Sequence, residues 1–240
     1  MIDKNNLPVC ISLGPGEADL ITLKALKALQ ESEVIYCPET QSDKKAVSRA
    51  RDILIELGIS KKNIRLFTVP MSKDRSHAEK VYDDVAQEIA EQYRSGVQTV
   101  FVAEGDAGFY SSVHYISDRL AGMNISVEHI AGVPAFIACG ALAGIHVVKQ
   151  EEPLLVFPAN VGAEKIMAEV KSGKSVVLMK LSQQQEAIKK VLRLMPDAEF
   201  HYFENAGVAG KEFYTQNTAE ILEREFPYFS LLIIKKNKIR

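Results

Sequence analysis

Cysteine is scarce in this sequence. Three cysteines occur among 240 residues, Cys10, Cys37 and Cys139, an odd number at wide spacing. Without a Cys-x-x-Cys pair or a Cys/His cluster, the chain lacks the spacing typical of a disulfide framework or a metal site. Cys10 and Cys37 also lie in apolar runs. We therefore predict buried thiols of a cytoplasmic protein and no metal site.

A large net charge is missing as well. Lysine and arginine total 29 against 31 aspartates and glutamates, which leaves a formal net charge of −2. Such a balance creates no field that would attract nucleic acid or an anionic membrane. An apolar content of 47% with 25% charged residues is ordinary for a soluble globular protein. We predict neither a nucleic acid nor a membrane as a partner.

Targeting and membrane signals are weak. The residues at the start of the sequence, 1–6, have no apolar core like that of a signal peptide. Residues 130–148 carry no formal charge and are about as long as a membrane span. That stretch is interrupted by Gly132 and Pro134 and is rich in alanine. It predicts a turn followed by a tightly packed, buried helix.

Common catalytic and nucleotide motifs are absent. Gly14-Pro15-Gly16 resembles part of a dinucleotide loop, but Asp19 stands where the third glycine belongs and Pro15 has no N–H for a phosphate. No Gly-Lys-Ser/Thr follows as in a P-loop, and no Gly-x-Ser-x-Gly elbow surrounds Ser111 or Ser112. The five histidines show no metal spacing. These absences disfavour a dehydrogenase, a P-loop NTPase and a triad hydrolase.

What is present is an alternation of apolar runs and helical patterns. In the first half it predicts strands at residues 8–13, 33–37, 64–69 and 99–103, separated by helices at 20–29, 44–57 and 75–94 and followed by one at 112–120. This order is typical of a mostly parallel sheet with helices on both faces. In the second half, strands at 154–157, 176–179, 200–203, 211–215 and 229–234 follow one another more closely, which predicts a mixed sheet. We predict two closely packed α/β domains, residues 1–122 and 123–240.

The segment at residues 104–112, Glu-Gly-Asp-Ala-Gly-Phe-Tyr-Ser-Ser, comes directly after the apolar strand at 99–103. Open α/β sheets bind ligands where their strands end at the carboxyl edge. Glycine allows a ligand to approach the backbone, and polar side chains can orient it. This segment is therefore either a ligand-binding loop or an ordinary strand-to-helix connection.

Three segments taken together resemble the tetrapyrrole methylase family. Residues 12–25 are similar to its amino-terminal signature, residues 104–112 to its Gly-Asp-Pro loop, and residues 131–138 to its Pro-Gly-x-Ser/Thr-Ala segment. The chain departs from that pattern at three positions. Ser12 replaces a usual glycine, and Ala107 and Ala131 each replace a usual proline.

Three further segments, residues 69–71, 176–180 and 228–232, are similar to the branch of the family that methylates carbon 20 of precorrin-2 or cobalt-factor II in cobalamin (vitamin B12) biosynthesis. The alternatives are a sibling methylase that acts at another ring position, diphthine synthesis on a protein, or a non-catalytic nucleotide-binding module. Whether the substrate is metal-free or contains cobalt stays open.

The resemblance implies the class III methyltransferase fold, S-adenosylmethionine (SAM) as methyl donor bound between the domains, and a homodimer. We expect Tyr110 or Asp106 to lie near the reacting carbon. The residues implied in SAM binding are Leu13, Gly14, Pro15, Gly105, Asp106, Phe109, Tyr110, Pro134, Ala135, Met179, Ala206 and Ser230. Because a tetrapyrrole carries many carboxylates, cationic side chains are expected to bind it. The candidates are Lys73, Arg75, His114, Lys180 and Lys211.

Overall fold

The computed structural model describes residues 6–42, 45–70 and 76–237 of the chain, which divides into two compact units. Unit 1 is Met1–Pro134 and unit 2 is Ala135–Arg240. The division comes later than the junction predicted after residue 122. The reason is that a strand at Glu128–Ile130 pairs with the first strand of the chain and so belongs to the first sheet.

Unit 1 is built from strands and helices in near-regular alternation. They are β1 (Val9–Ser12), α1 (Leu23–Glu31), β2 (Val34–Ser42), β3 (Lys45–Val47), α2 (Arg49–Glu56), β4 (Ile64–Pro70), α3 (Ser76–Arg94), β5 (Thr99–Ala103), α4 (His114–Gly122) and β6 (Glu128–Ile130). The strand order is β3-β2-β5-β1-β6, with β4 also pairing with β2. All pairings are parallel except that of β3 with β2. The predicted mostly parallel first sheet is confirmed.

The central strands β1 and β5 are buried on both faces of this sheet, which explains why they are apolar without alternation. Cys10 and Phe101 pack in one core with residues of α3 and α4. Their neighbours Ile11, Val100 and Val102 pack in the opposite core with residues of α1 and α2. Successive side chains of a strand point to opposite faces, so each strand supplies both cores.

Some of the boundaries that we predicted for strands and helices in unit 1 were wrong. Strand β2 continues through Pro38 to Ser42, although we predicted that Pro38 would end it. Pairing with β5 covers only Val34 to Tyr36, so β2 has a neighbour on one edge at Pro38, and such positions tolerate proline. The helix predicted at 44–57 begins instead at Arg49, because Ser48 caps it by accepting a hydrogen bond from the Arg51 N–H.

Unit 2 contains α5 (Ala135–Leu142), β7 (Leu154–Phe157), α6 (Ala163–Lys171), β8 (Ser175–Met179), α7 (Gln185–Leu194), β9 (Ala198–Glu204), β10 (Phe213–Thr215), α8 (Thr218–Glu223) and β11 (Ser230–Lys236). Its strand order is β10-β9-β11-β8-β7. Only β7 and β8 are parallel among these neighbours, and the other pairs are antiparallel. The predicted mixed second sheet is confirmed.

The uncharged stretch at residues 130–148 contains α5, but the helix is not buried all round as we predicted. Phe136, Cys139 and Gly140 are buried, whereas Ile137 and Leu142 are 46% and 45% exposed. Within the parts of the chain that the structure describes, no helix has the length and apolar character needed to cross a bilayer.

Candidate functional site

The candidate site begins where β1 and β5 end side by side. Ser12 is opposite Ala103 in the parallel pair, so the two following loops start together. The Leu13 N–H donates to the Ala103 carbonyl at 2.8 Å. Gly14 and Gly105 then form an antiparallel bridge, with N···O distances of 3.1 and 2.6 Å. Pairing of neighbouring strands therefore joins two segments that are about ninety residues apart in the sequence.

Both bridging glycines have positive φ, +80° at Gly14 and +68° at Gly105. A β-carbon added to Gly14 would lie 3.2 Å from the Leu20 carbonyl oxygen, whereas one added to Gly105 would meet nothing within 4 Å. Gly14 is thus packed against its own loop, with Leu13 and Pro15 buried beside it. Although its N–H and carbonyl are both bonded to Gly14, Gly105 leaves the space beside its α-carbon open to an approaching ligand.

Asp106 ties a third loop to the first two. Its Oδ1 accepts the Gly108 N–H at 2.9 Å, and its Oδ2 accepts the Gly132 N–H at 2.7 Å. Gly132 follows β6, whose Ile130 is opposite Ile11 of β1. A β-carbon on Gly132 would be 2.5 Å from the Ser12 Cβ and 2.8 Å from the Gly105 oxygen, so this close approach requires glycine. The Asp106 carboxylate therefore braces the loops after β5 and β6.

Two of the three positions that depart from the family pattern meet in this structure. The Ala107 N–H donates to the Ser12 Oγ at 2.8 Å, and both residues are buried. A hydrogen bond from the Phe109 N–H to the Asp106 carbonyl closes a β-turn that has Ala107 at its second position. No motif in the sequence indicated that these two residues were partners.

An aromatic pair follows the turn. The rings of Phe109 and Tyr110 lie 4.8 Å apart in an edge-to-face arrangement, and Tyr110 is 52% exposed. Tyr110 has φ +52°, a left-handed conformation that bulky residues rarely adopt. Such strain is concentrated at ligand sites, which makes Tyr110 a candidate contact residue. His114 is the exposed first residue of α4, and its Nδ1 is 2.7 Å from the Ser111 carbonyl oxygen.

Glu104 is a residue that we did not include among the candidates. Burial raises the pKa of its carboxyl group, and the nearby Arg49 charge and a hydrogen bond from the Ala50 N–H only partly offset that rise. Burial also lowers the pKa of Arg49, which Glu104 opposes. The pair joins the end of β5 to the start of α2. Its sequence signal was a carboxylate placed directly after a buried strand.

Three of the candidates in unit 2 lie at the same end of its sheet. Met179 ends β8, Ser230 begins β11, and Ala206 follows β9 by two residues. The register places Leu231 opposite both Met179 and Phe203. Ser230 donates to the Pro227 carbonyl at 2.5 Å, and the Met179 carbonyl accepts from the Gln184 side chain at 3.0 Å. Ala135 is the first residue of α5.

The two described cationic candidates of unit 2 differ in their settings. Lys180 follows Met179 and has φ +52°, with a half-buried side chain. Lys211 is exposed in a turn that is closed by its N–H to the Val208 carbonyl. In unit 1, Pro134 is half-buried at the end of the loop that contains Gly132. Lys73 and Arg75 lie outside the described residues.

A charged network supports the turn that contains Ala206. The Glu204 Oε1 accepts from the Tyr202 hydroxyl and from the Arg224 Nε, both at 2.7 Å. Burial tends to raise the pKa of Glu204, but these two hydrogen bonds outweigh it and lower the pKa. The Arg224 guanidinium also lies 3.7 Å from the centre of the Phe213 ring. These contacts fix the end of β9.

Curated proteins that are similar to this chain in sequence include C(20)-methyltransferases. A curated relative, cobalt-precorrin-2 C(20)-methyltransferase of Salmonella typhimurium, is 28% identical over 229 residues, which are 94% of each chain. Precorrin-2 C(20)-methyltransferase of a Sinorhizobium species is 26% identical over 233 residues, 93% of each chain.

Solved structures have the same fold. A cobalt precorrin-4 methyltransferase aligns with a TM-score of 0.70 at 16% identity and covers 95% of this chain and 94% of its own. Uroporphyrin-III C-methyl transferase from Thermus thermophilus, complexed with S-adenosylhomocysteine, aligns with a TM-score of 0.67 at 16% identity and covers 96% and 97%. The predicted fold class is therefore confirmed.

The family assignment rests on the greater part of the chain. Residues 9–222 match the sequence model of one family, the Tetrapyrrole (Corrin/Porphyrin) Methylases. The matched range includes all three segments on which the resemblance was based. The chain belongs to the tetrapyrrole methylases, as its sequence motifs predicted.

Proposed function

We propose that this protein is a SAM-dependent C-methyltransferase that adds a methyl group to carbon 20 of precorrin-2 or its cobalt-containing counterpart in cobalamin biosynthesis. The observation that carries the proposal is the match, over nearly the whole of both chains, to C(20)-methyltransferases. The two relatives differ in whether their named substrate contains cobalt, so the proposal includes both forms.

Two observations support SAM as the methyl donor. The T. thermophilus neighbour was crystallised with S-adenosylhomocysteine, the product that SAM leaves after methyl transfer. In this chain the open space beside the Gly105 α-carbon and the partly exposed Phe109–Tyr110 pair offer the room and the flat apolar surface that an adenosyl group needs. The residues therefore fit the donor.

We propose that residues of both units bind the donor. In unit 1 these are Leu13, Gly14, Pro15, Gly105, Asp106, Phe109, Tyr110 and Pro134. In unit 2 they are Ala135, Met179, Ala206 and Ser230. When bound, SAM supplies an electrophilic methyl group and a neutral thioether leaving group. The task of these residues is to hold the reacting atoms in line and to exclude water, which is a large contribution to catalysis by itself.

Asp106 and Tyr110 remain our proposed groups beside the reacting carbon. Each Asp106 oxygen already accepts a backbone N–H, so we assign it the role of positioning rather than of removing a proton. The exposed Tyr110 side chain is the group in this loop that is better placed to face a substrate. We propose His114, Lys180 and Lys211 as partners of the tetrapyrrole carboxylates, together with Lys73 and Arg75.

The proposal is tested by supplying SAM with precorrin-2 in one reaction and with cobalt-factor II in another, without oxygen. We expect one added methyl group on at least one substrate by mass spectrometry, with release of S-adenosylhomocysteine. Methylation at another ring carbon would identify a sibling enzyme. Binding of S-adenosylhomocysteine without any methyl transfer would point to a non-catalytic nucleotide-binding protein.

We also propose a homodimer that acts in the cytoplasm. The exposed apolar side chains Ile137 and Leu142 on α5 are candidates for contact with a second copy of the chain. The three cysteines are buried free thiols, in keeping with a reducing compartment. Light scattering on the wild-type protein and on Ile137→Glu tests the dimer. A wild-type protein that is monomeric at micromolar concentration would contradict it.

A further inference from the structure

A buried side chain joins the loops after β1 and β5. The Ser12 Oγ accepts the Ala107 N–H at 2.8 Å, and Ser12 is only 1% exposed. Ser12 is the last residue of β1, held in register opposite Ala103 of β5. The position of its hydroxyl is therefore set by the sheet, and the hydrogen bond transfers that position to the loop.

The loop segment that receives this bond is the turn formed by Asp106, Ala107, Gly108 and Phe109. Ala107 is its second residue, and the Phe109 N–H closes it onto the Asp106 carbonyl. The Asp106 carboxylate fixes the same turn through Gly108 and reaches Gly132. The Ser12 Cβ also occupies the space that a side chain on Gly132 would need. Ser12 thus contacts both loops that Asp106 connects.

We propose that Ser12 is a positioning residue for the methyl donor. Its hydroxyl holds the turn at Ala107 in the orientation in which the open space beside Gly105 and the Phe109–Tyr110 pair receive the methyl donor. This inference rests on the proposed function, because it concerns the same cofactor site. It adds a residue that makes no contact with the donor and acts through the Ala107 N–H.

The residue at position 12 restricts which residue can occupy position 107, and the reverse is also true. Proline is favoured at the second position of a β-turn, but it has no N–H, and its Cδ would extend towards the Ser12 hydroxyl. Glycine at position 12 would leave the buried Ala107 N–H without an acceptor, which is costly. Each single change is therefore harmful. Glycine at 12 combined with proline at 107 removes both the unpaired N–H and the clash.

A double-mutant cycle tests this coupling. The variants are Ser12→Gly, Ala107→Pro and the two combined. Ser12→Ala is added because it removes the acceptor without altering the backbone of β1. Ser175→Ala is the control, since Ser175 Oγ is buried in the second sheet and has no hydrogen-bond partner among the described residues. Calorimetry gives the dissociation constant for S-adenosylhomocysteine, and steady-state kinetics give KM for SAM and kcat.

Each single change at Ser12 or Ala107 should weaken S-adenosylhomocysteine binding roughly tenfold, because it breaks the buried hydrogen bond between the two residues. KM should rise more than kcat falls. The combined variant should recover to within about threefold of the wild type, and Ser175→Ala should bind as the wild type does. Unchanged binding in folded Ser12→Ala, or losses that simply add in the combined variant, would overturn the proposal.

Amide hydrogen exchange separates this inference from the proposed function. The Ala107 amide should exchange slowly in the wild-type protein without any donor, and at least about tenfold faster in Ser12→Ala. If the wild type binds no S-adenosylhomocysteine, the proposed function fails and the positioning role fails with it. If the wild type binds it and Ser12→Ala binds equally well, only the role of Ser12 is wrong.

Discussion

Replacing Gly132 by alanine is the sharpest test of how closely the three loops approach one another. The new Cβ would lie 2.5 Å from the Ser12 Cβ and 2.8 Å from the Gly105 carbonyl oxygen. Atoms at such distances must move apart. The Gly105 oxygen belongs to the backbone and is fixed by its hydrogen bond from Gly14, so it cannot rotate away.

The cost follows from these contacts. Adding a methyl group to a well-packed site costs about 1–3 kcal/mol, and two contacts of this kind place Gly132→Ala near 2–3 kcal/mol. At about 3 °C per kcal/mol for a protein of this size, the melting temperature should fall by roughly 6–9 °C. Displacement of Gly132 would also lengthen its 2.7 Å hydrogen bond to Asp106 and weaken S-adenosylhomocysteine binding.

Gly122→Ala is the matched control. Gly122 is the exposed last residue of α4, and a β-carbon added there meets no atom of the described part of the chain within 4 Å. Alanine favours a helix over glycine by roughly 0.5–1 kcal/mol, so this variant should be as stable as the wild type or slightly more so. Differential scanning calorimetry measures both variants. A Gly132→Ala protein that melts with the wild type would refute the close approach of the loops.

The remaining predictions concern a carboxylate and the thiols. Asp106→Ala removes the acceptor of two backbone N–H groups and should lower S-adenosylhomocysteine affinity at least about tenfold by calorimetry, and an unchanged affinity would remove Asp106 from the site. Burial raises the pKa of Cys10, Cys37 and Cys139 from 9.0 to about 12, with smaller contributions from nearby carboxylates. The folded state thus binds more protons than the unfolded state above about pH 9, so stability should fall as the pH rises from 9 towards 12. A thiol reagent at pH 8 should label the folded protein far more slowly than the denatured one, and equal rates would show that the thiols are not buried.

Most strands and several helices could be predicted because their patterns are local, whereas β3 and β6 were not predicted. Apolar runs bounded by glycine or proline identified β1, β5 and the strands of unit 2, and a long amphipathic pattern identified α3. The prediction that β2 ends before Pro38 was wrong, because a strand accepts proline where one of its edges has no neighbour. Only the pairing of β2 shows that Pro38 is at such a position. Similarly, the exposure of Ile137 and Leu142 depends on what packs against α5, which an apolar sequence does not reveal.

The site was predictable in its loops but not in its internal contacts. Glycines and a carboxylate after a buried strand indicated the segment at 104–112. The hydrogen bonds that organise it join Asp106 to Gly132 and Ala107 to Ser12, residues that are distant in the sequence. Those contacts follow from the register of β1 with β5 and β6. Because β1 and β5 are apolar throughout, their local patterns do not reveal that register.

The most direct test of the proposed function is the position of the transferred methyl group. SAM carrying a ¹³C-labelled methyl group would be incubated with precorrin-2 and, separately, with cobalt-factor II, and the product would be examined by NMR. We predict one new methyl resonance, assigned to carbon 20, from at least one of the two substrates. A label at any other carbon, or no transfer to either substrate by a protein that binds S-adenosylhomocysteine, would contradict the proposed function.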